Sequence, residues 1–312
     1  MIIPISLFIL GLIGLWFFSD FVVSRSIKVA IALNITPAFI GLTLLSIGTS
    51  MPELTTALVS SYHVLHGIDA SSIAISTNIG SDLFQITFIM GLVALFTTVH
   101  ANKKILQRDY PMMVFATLLV FIFSFGGYLS RIEGFIMLAI YGWYLLRLLD
   151  GEKIIRKKAD KNNYFLDVII ICFGIAGLLF AGKLVVDNAL FFSIKFGIDQ
   201  TFFGALLIGL TSALPELSTV MQGIRRKSQG ISLGVLIGSN VTNPLMMIGI
   251  GALISGYTVS KELMMVDMPF YIITTIIIYF FFNKNLKISK IQAIALIGFY
   301  LIFALLKARL LF

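Results

Sequence analysis

Apolar runs of roughly eighteen residues or more recur along the whole chain, each long enough to cross the hydrocarbon core of a bilayer as a helix. Lipid offers the backbone no hydrogen-bond partners, so a spanning segment must satisfy its own N–H and C=O groups, and runs of this length do so as helices. The balance of residues agrees. Of 312 residues, 58% are hydrophobic and 12% charged, and the mean hydropathy is +1.00, whereas about a quarter of a soluble domain is charged. The expected fold is an all-α polytopic membrane protein. The opening run, MIIPISLFILGLIGLWFF, has neither a basic leader nor a small-residue cleavage site, and is expected to be a first span rather than a removed signal peptide.

Ten spans are expected, near 2–21, 33–60, 70–97, 109–128, 132–149, 165–194, 201–224, 231–256, 265–283 and 290–310. With both termini outside, Arg131, Lys195, Lys261, Lys307 and Arg309 fall on the outer side and Lys183 inside a span. The other seventeen of the 23 basic residues then lie in cytoplasmic loops or span ends. That asymmetry is the positive-inside pattern. It accounts for the net charge of +8 without a nucleic-acid partner.

Two halves are expected, 1–149 and 165–312, joined by a short basic cytoplasmic linker at 150–164. Five spans per half is odd, so the halves enter the membrane from opposite sides and any internal repeat is inverted. A repeat is visible. GLTLLSIGTSMPELTTALVSS at 41–61 aligns without gaps to GALLIGLTSALPELSTVMQGI at 204–224, matching Gly41, Leu44, Pro52, Glu53, Leu54 and Thr56 to Gly204, Leu207, Pro215, Glu216, Leu217 and Thr219. NIGSDLFQITFIMG at 78–91 aligns likewise to LIGSNVTNPLMMIG at 236–249. The paired motifs therefore occupy 41–91 and 204–249. Inverted repeats with helix interruptions at matching places mark secondary transporters, with the substrate site at the repeat interface.

Pro52 and Pro215 each remove a backbone donor and are expected to break their helices just before a glutamate, freeing carbonyls near Gly48 and Thr49 in the first copy. Thr49 and Ser50, four and three residues before Glu53, are expected on its face of the helix; Ser212 and Ala213 hold the matching places before Glu216. In the following spans Ser81 and Gln85 share a face, as do Ser239 and Asn243, and Gly80 and Gly238 permit close helix approach. Carboxylates, hydroxyls and carbonyls are hard oxygen donors suited to Na⁺ or Ca²⁺ rather than to soft transition metals. A charged carboxylate at the bilayer centre costs about 2.5–3.5 kcal/mol, so two at matching positions point to function. Together they carry a charge of −2, which one Ca²⁺ or two Na⁺ neutralise. Without a cation, their mutual repulsion favours uptake of a proton.

The motifs GTSMPE at 48–53, TSALPE at 211–216, GSDLFQ at 80–85 and GSNVTN at 238–243 resemble those of the sodium/calcium exchangers of the cation/Ca²⁺ antiporter superfamily, especially compact prokaryotic and archaeal members. The resemblance implies Na⁺/Ca²⁺ antiport by alternating access, with the first and sixth spans as a sliding gate. It implies Glu53 and Glu216 as central ligands shared by both ions. Thr49, Ser50 and Ser212 would give hydroxyl or carbonyl oxygens, Ser46 and Gly209 backbone carbonyls, and Ser81 and Ser239 the outer Na⁺ sites. Gln85 and Asn243 stand where the family commonly has Asn or Asp. No cofactor and no enzymatic activity are implied. Ala213 removes a hydroxyl, Gln85 is longer than the usual Asn, and Asp82 is a third carboxylate where the family usually has Asn. Asp82 is either a helix–helix hydrogen-bonding group beside the site or a proton-accepting or extra cation ligand. An H⁺-coupled Ca²⁺ or other divalent-cation antiporter is the alternative function, and a cation channel a further one. An intramembrane hydrolase would need an activated nucleophile or metal set, and no histidine lies near either Pro-Glu.

Four further features are expected to be structural. Cys172 reads as a small core residue, His63 and His66 as interfacial residues, Lys183 with Asp187 as an i,i+4 intramembrane ion pair, and RRKSQG at 225–230 as cytoplasmic charge. The linker is too short to hold a regulatory Ca²⁺-binding domain, and no protein partner is implied.

Overall fold

The computed structural model describes residues 2–32, 45–97, 99, 101, 103, 105–150, 165–225 and 229–309. The start of the second expected span (33–44, with Gly41 and Leu44), the linker at 151–164 and residues 226–228 of the RRKSQG segment lie outside the described residues.

The chain is helical almost throughout. In order, the helices are α1 (Ile2–Ala32), α2 (Ser46–Thr49), α3 (Met51–Leu65), α4 (Ser71–Leu83), α5 (Met90–Phe96), α6 (Tyr110–Phe123) and α7 (Arg131–Asp150). They continue with α8 (Phe165–Phe196), α9 (Gly209–Ser212), α10 (Leu214–Arg225), α11 (Gln229–Thr242), α12 (Gly249–Ser255), α13 (Met268–Asn285) and α14 (Lys290–Ala308). Among the described residues, nine helical segments are long and apolar enough to cross a membrane. Of the other expected span, 33–60, the described residues form α2 and the start of α3, broken at Ser50.

Among the described residues, five complete segments of π-helix interrupt or lead into these helices, a feature the residue pattern did not suggest. Those at Phe84–Ile89 and Asn243–Ile248 join α4 to α5 and α11 to α12, and those at Ile105–Asp109 and Leu263–Asp267 open α6 and α13. They fall in matching places relative to the two motif copies. The fifth, Phe203–Ile208, leads into α9. A π turn inserts one residue into a helix and re-aims the side chains beyond it, which is why such turns gather at functional sites.

Contacts sort the connections into two ends. At one, a two-residue antiparallel ladder pairs Tyr128–Leu129 (β1) with Tyr257–Thr258 (β2), Thr258 donates to Asp69 at 2.6 Å, and Gln200 donates to the Asp69 carbonyl at 2.8 Å. At the other, Ala101 N–H donates to the Leu286 carbonyl at 2.8 Å and Ile288 N–H to that of Val99 at 3.2 Å.

Two apolar clusters hold the molecule. The larger includes α4, α6, α11, α13 and α14; the smaller joins α1 to α8 and includes Leu15, Ala181 and Val185. The α1–α8 pair is zipped through glycines: a Cβ on Gly11 or Gly14 would meet Val185 or Ala181, and one on Gly174 or Gly177 would meet Val22 or Phe18. At 32 residues α8 is about 48 Å long, well beyond the hydrocarbon core.

One structural expectation changes and two gain detail. Cys172 is exposed, because α8 turns that apolar face outward rather than into the core. Lys183 and Asp187 do pair, at 2.8 Å, but Lys183 is exposed and Asp187 also meets His63 at 2.6 Å. His63 is thus a tie between α3 and α8, while His66 is exposed and bonds the Tyr62 carbonyl.

Candidate cation site

Both Pro-Glu segments kink their helices in the same way. The regular helix is interrupted by a turn at Ser50 (φ −82°, ψ 12°) and at Ala213 (φ −82°, ψ −1°). Ser50 N–H still reaches the Ser46 carbonyl at 3.1 Å, and Ala213 N–H that of Gly209 at 3.2 Å. Each kink is therefore a turn inside a continuing helix, with proline just beyond it. The kinks bring Glu53 and Glu216, both fully buried, into one polar centre where they repel one another.

The hydroxyls serve the opposite half. Ser50 donates to Glu216 Oε1 at 3.4 Å and Thr49 faces the same carboxylate, whereas Ser212 faces Glu53. Thr49 and Ser50, expected on the Glu53 face of their helix, also approach the carboxylate of the other half. Ala213, the counterpart of Ser50, is buried and brings no hydroxyl. Thr49 also donates to the Leu45 carbonyl at 2.9 Å, and Ser212 to that of Gly209 at 3.1 Å. Ser46 bonds Thr242 at 2.9 Å through its hydroxyl.

From α4, Ser81 donates to Glu53 Oε1 at 2.5 Å; from α11, Ser239 reaches Glu216 Oε1 at 3.5 Å. Gly80 and Gly209 allow this closeness. A Cβ on Gly80 would sit 2.3 Å from the Ala205 carbonyl oxygen, and one on Gly209 would sit 2.8 Å from the Ser81 nitrogen.

Behind the glutamates lies a hydrogen-bonded layer. Gln85 donates to Ser81 at 3.1 Å, and its carbonyl accepts from Asn240 at 3.0 Å. Asn243 donates to Asp82 Oδ1 at 2.7 Å, and Tyr271 donates into the pair of acceptors Asp82 Oδ2 and Asn240 Oδ1, each at 2.9 Å. Asp82 is thus engaged by α11 and α13 beside the glutamates. Among the described residues no three carboxylate, histidine or cysteine side chains converge on one point. Asn240 and Tyr271 were not expected. Asn240 stands in the GSN triplet quoted for its serine, and Tyr271 belongs to a span with no motif at all.

Three buried oxygens in this centre have no hydrogen-bond partner among the described residues: Glu53 Oε2, Glu216 Oε2 and Asn243 Oδ1. A buried acceptor without a donor is costly, more so when charged. Two carboxylate oxygens and an amide carbonyl are hard donors, the kind that suit an alkali or alkaline-earth cation. The arrangement holds no activated nucleophile.

A family model described as sodium/calcium exchanger protein matches residues 3–149 and 166–309. The uncharacterized membrane protein MJ0091 of Methanocaldococcus jannaschii is 28% identical, with 97% of each chain covered. Sodium/calcium exchanger MaX1 of Methanosarcina acetivorans is 26% identical, with 95% of each covered. A solved structure of the sodium-calcium exchanger NCX_Mj superposes with a TM-score of 0.68 at 28% identity, covering 96% of this chain and 97% of that one. A match that runs through both halves, on a fold shared over nearly the full length, makes this chain a member of the sodium/calcium exchanger family, a multi-pass membrane transporter and not an enzyme.

Proposed function

We propose that the protein exchanges Na⁺ for Ca²⁺ by alternating access at the centre formed by Glu53 and Glu216. The observation that carries this reading is the trio of unpartnered buried oxygens, two of them from carboxylates on matching kinks. One Ca²⁺ or two Na⁺ neutralise the glutamate pair, so the two ions compete for the same oxygens. If only the neutralised centre passes between facing states, that competition is antiport. The remaining proposed ligands are Thr49, Ser50, Ser212, Ser81 and Ser239 through hydroxyls, and Ser46 and Gly209 through carbonyls.

Ten spans in two inverted halves, 1–149 and 165–312, fit the matched kinks and the matched π turns at Phe84–Ile89 and Asn243–Ile248. Both termini lie outside the cell membrane and the 150–164 linker lies in the cytoplasm, on the strength of the basic-residue asymmetry. The α1–α8 pair, with its own apolar cluster, is the moving element. It packs against α3, the helix that carries Glu53: a Cβ on Gly182 would lie 2.3 Å from Thr55 Cγ2.

H⁺ coupling is the second reading, favoured by Asp82, a buried carboxylate that adds to the field on both glutamates. Uptake of ⁴⁵Ca²⁺ into proteoliposomes under an outward Na⁺ gradient, against an outward H⁺ gradient, separates the two. Uptake with Na⁺ alone is expected. Uptake only with H⁺ would replace the first reading by the second.

A further inference from the structure

The layer behind the glutamates is cross-strapped: the residue after each motif serine pairs with the amide of the other half. Asn240, after Ser239, holds Gln85; Asp82, after Ser81, holds Asn243. The two straps differ in chemistry, and the difference decides which amide oxygen is left over.

On the first strap every partner is oriented. Asn240 Nδ2 also donates to the Leu236 carbonyl at 2.9 Å, which can only accept. Its amide nitrogen therefore faces Gln85, and the Gln85 oxygen must be the acceptor. Gln85 Nε2 then points at Ser81, whose proton goes to Glu53. The Gln85 carbonyl is consumed within the layer. On the second strap Asp82 presents a carboxyl oxygen, so Asn243 turns its nitrogen toward it. Its carbonyl oxygen is left buried and without a partner among the described residues.

The geometry points to Asp82 as the positioning residue that makes Asn243, and not Gln85, the amide ligand of the cation site. This rests on the proposed exchange at Glu53 and Glu216. Asp82 thus acts through Asn243 rather than on the ion, and the two amides that stand at matching places have different roles.

The test is equilibrium ⁴⁵Ca²⁺ binding and exchange kinetics on the purified full chain. Asp82→Leu removes the acceptor while keeping the branched shape, at larger volume, and lets the Asn243 amide turn. Loss of an outer-shell partner typically weakens metal affinity about 10–100-fold, and a loss in that range is expected, as a higher KM for Ca²⁺ with little change in turnover at saturation. Asn243→Asp in the same chain offers an oxygen in either orientation, so Asp82→Leu/Asn243→Asp should bind Ca²⁺ about as tightly as Asn243→Asp alone. Equal affinity of Asp82→Leu and the parent chain, or failure of the second change to rescue, overturns the assignment. Should Asp82→Leu not fold, Asn243→Leu and Gln85→Leu decide it: the first should lose affinity roughly tenfold or more and the second little, and equal losses overturn it. A parent chain that binds no Ca²⁺ would overturn the exchanger reading itself, and this assignment with it.

Discussion

The two halves of the site share a backbone and differ in how they hold their glutamates. Glu53 is fixed by one short bond from Ser81, at 2.5 Å, while Glu216 is reached by two long ones, from Ser50 at 3.4 Å and Ser239 at 3.5 Å. The kink torsions at Ser50 and Ala213 agree within a few degrees in φ, so the difference lies in side chains and not in the fold. A hydrogen bond strengthens steeply as it shortens toward its optimum. In the proposed exchange Glu53 would then be the pre-set half of the cage, and Glu216 the half with freedom to close on an arriving ion. Symmetry supplies two carboxylates; broken symmetry gives them different duties.

The comparison is broken most severely by removing the charges. Glu53→Gln and Glu216→Gln should each abolish exchange while the protein still folds, because the remaining single charge no longer matches Ca²⁺. Proteoliposome uptake, with chromatography as a folding control, checks this. Retention of full exchange in both would remove the site from this centre.

A finer cut uses the serines. Ser81→Ala deprives Glu53 of its shortest hydrogen bond, and a hydrogen bond to a charged group contributes about 1.5–3 kcal/mol, or roughly tenfold or more in affinity. Ser239→Ala removes only a 3.5 Å contact and should change Ca²⁺ affinity much less. Titration of both variants side by side measures the asymmetry; equal losses would mean the two halves hold their glutamates alike.

Ala213→Ser restores the missing hydroxyl opposite Ser50 and should sharpen the match between halves. A neutral hydrogen bond is worth about 1 kcal/mol, so a few-fold gain in apparent Na⁺ affinity is expected from the Na⁺ dependence of Ca²⁺ release. An unchanged Na⁺ dependence would show that this position does not face the ion.

The smallest effect is expected where the halves are tied together at the ladder end. Partial burial pushes Asp69 up, but hydrogen bonds from Thr258 and Ser71 outweigh it and hold its carboxyl below the ordinary value. A group lowered on folding stabilises the protein above its unfolded pKa, near 4, and loses that contribution as pH falls through the lower folded value. Thermal unfolding of Asp69→Asn against the parent should thus differ slightly at neutral pH and converge below about pH 4. A difference that grows with acid would reverse the assigned sign.

Much of this site was legible from residue letters. Pro-Glu inside apolar spans announces a kink and a costly charge together, and its recurrence located both halves. The helical, multi-pass character needed only length, and the approach of Ser81 and Ser239 to the two glutamates only spacing. The contact across halves was not legible: Thr49 and Ser50 lie one helical turn from Glu53, yet they also approach Glu216. The π turns leave no composition signal. Asn240 and Tyr271 escaped notice because their roles arise from partners more than 150 residues away at Gln85 and Asp82. Cys172 was misplaced for a related reason, since an all-apolar helix does not reveal which face meets lipid.

The central claim is that one cage, built from both halves, binds either Ca²⁺ or Na⁺. Equilibrium ⁴⁵Ca²⁺ binding to the purified protein, titrated with Na⁺, tests it most directly. Displacement of Ca²⁺ by Na⁺, with a dependence steeper than one Na⁺ per Ca²⁺ and loss of binding in Glu53→Gln and Glu216→Gln, is the predicted result. Ca²⁺ binding that is indifferent to Na⁺, or that survives in both variants, would contradict it.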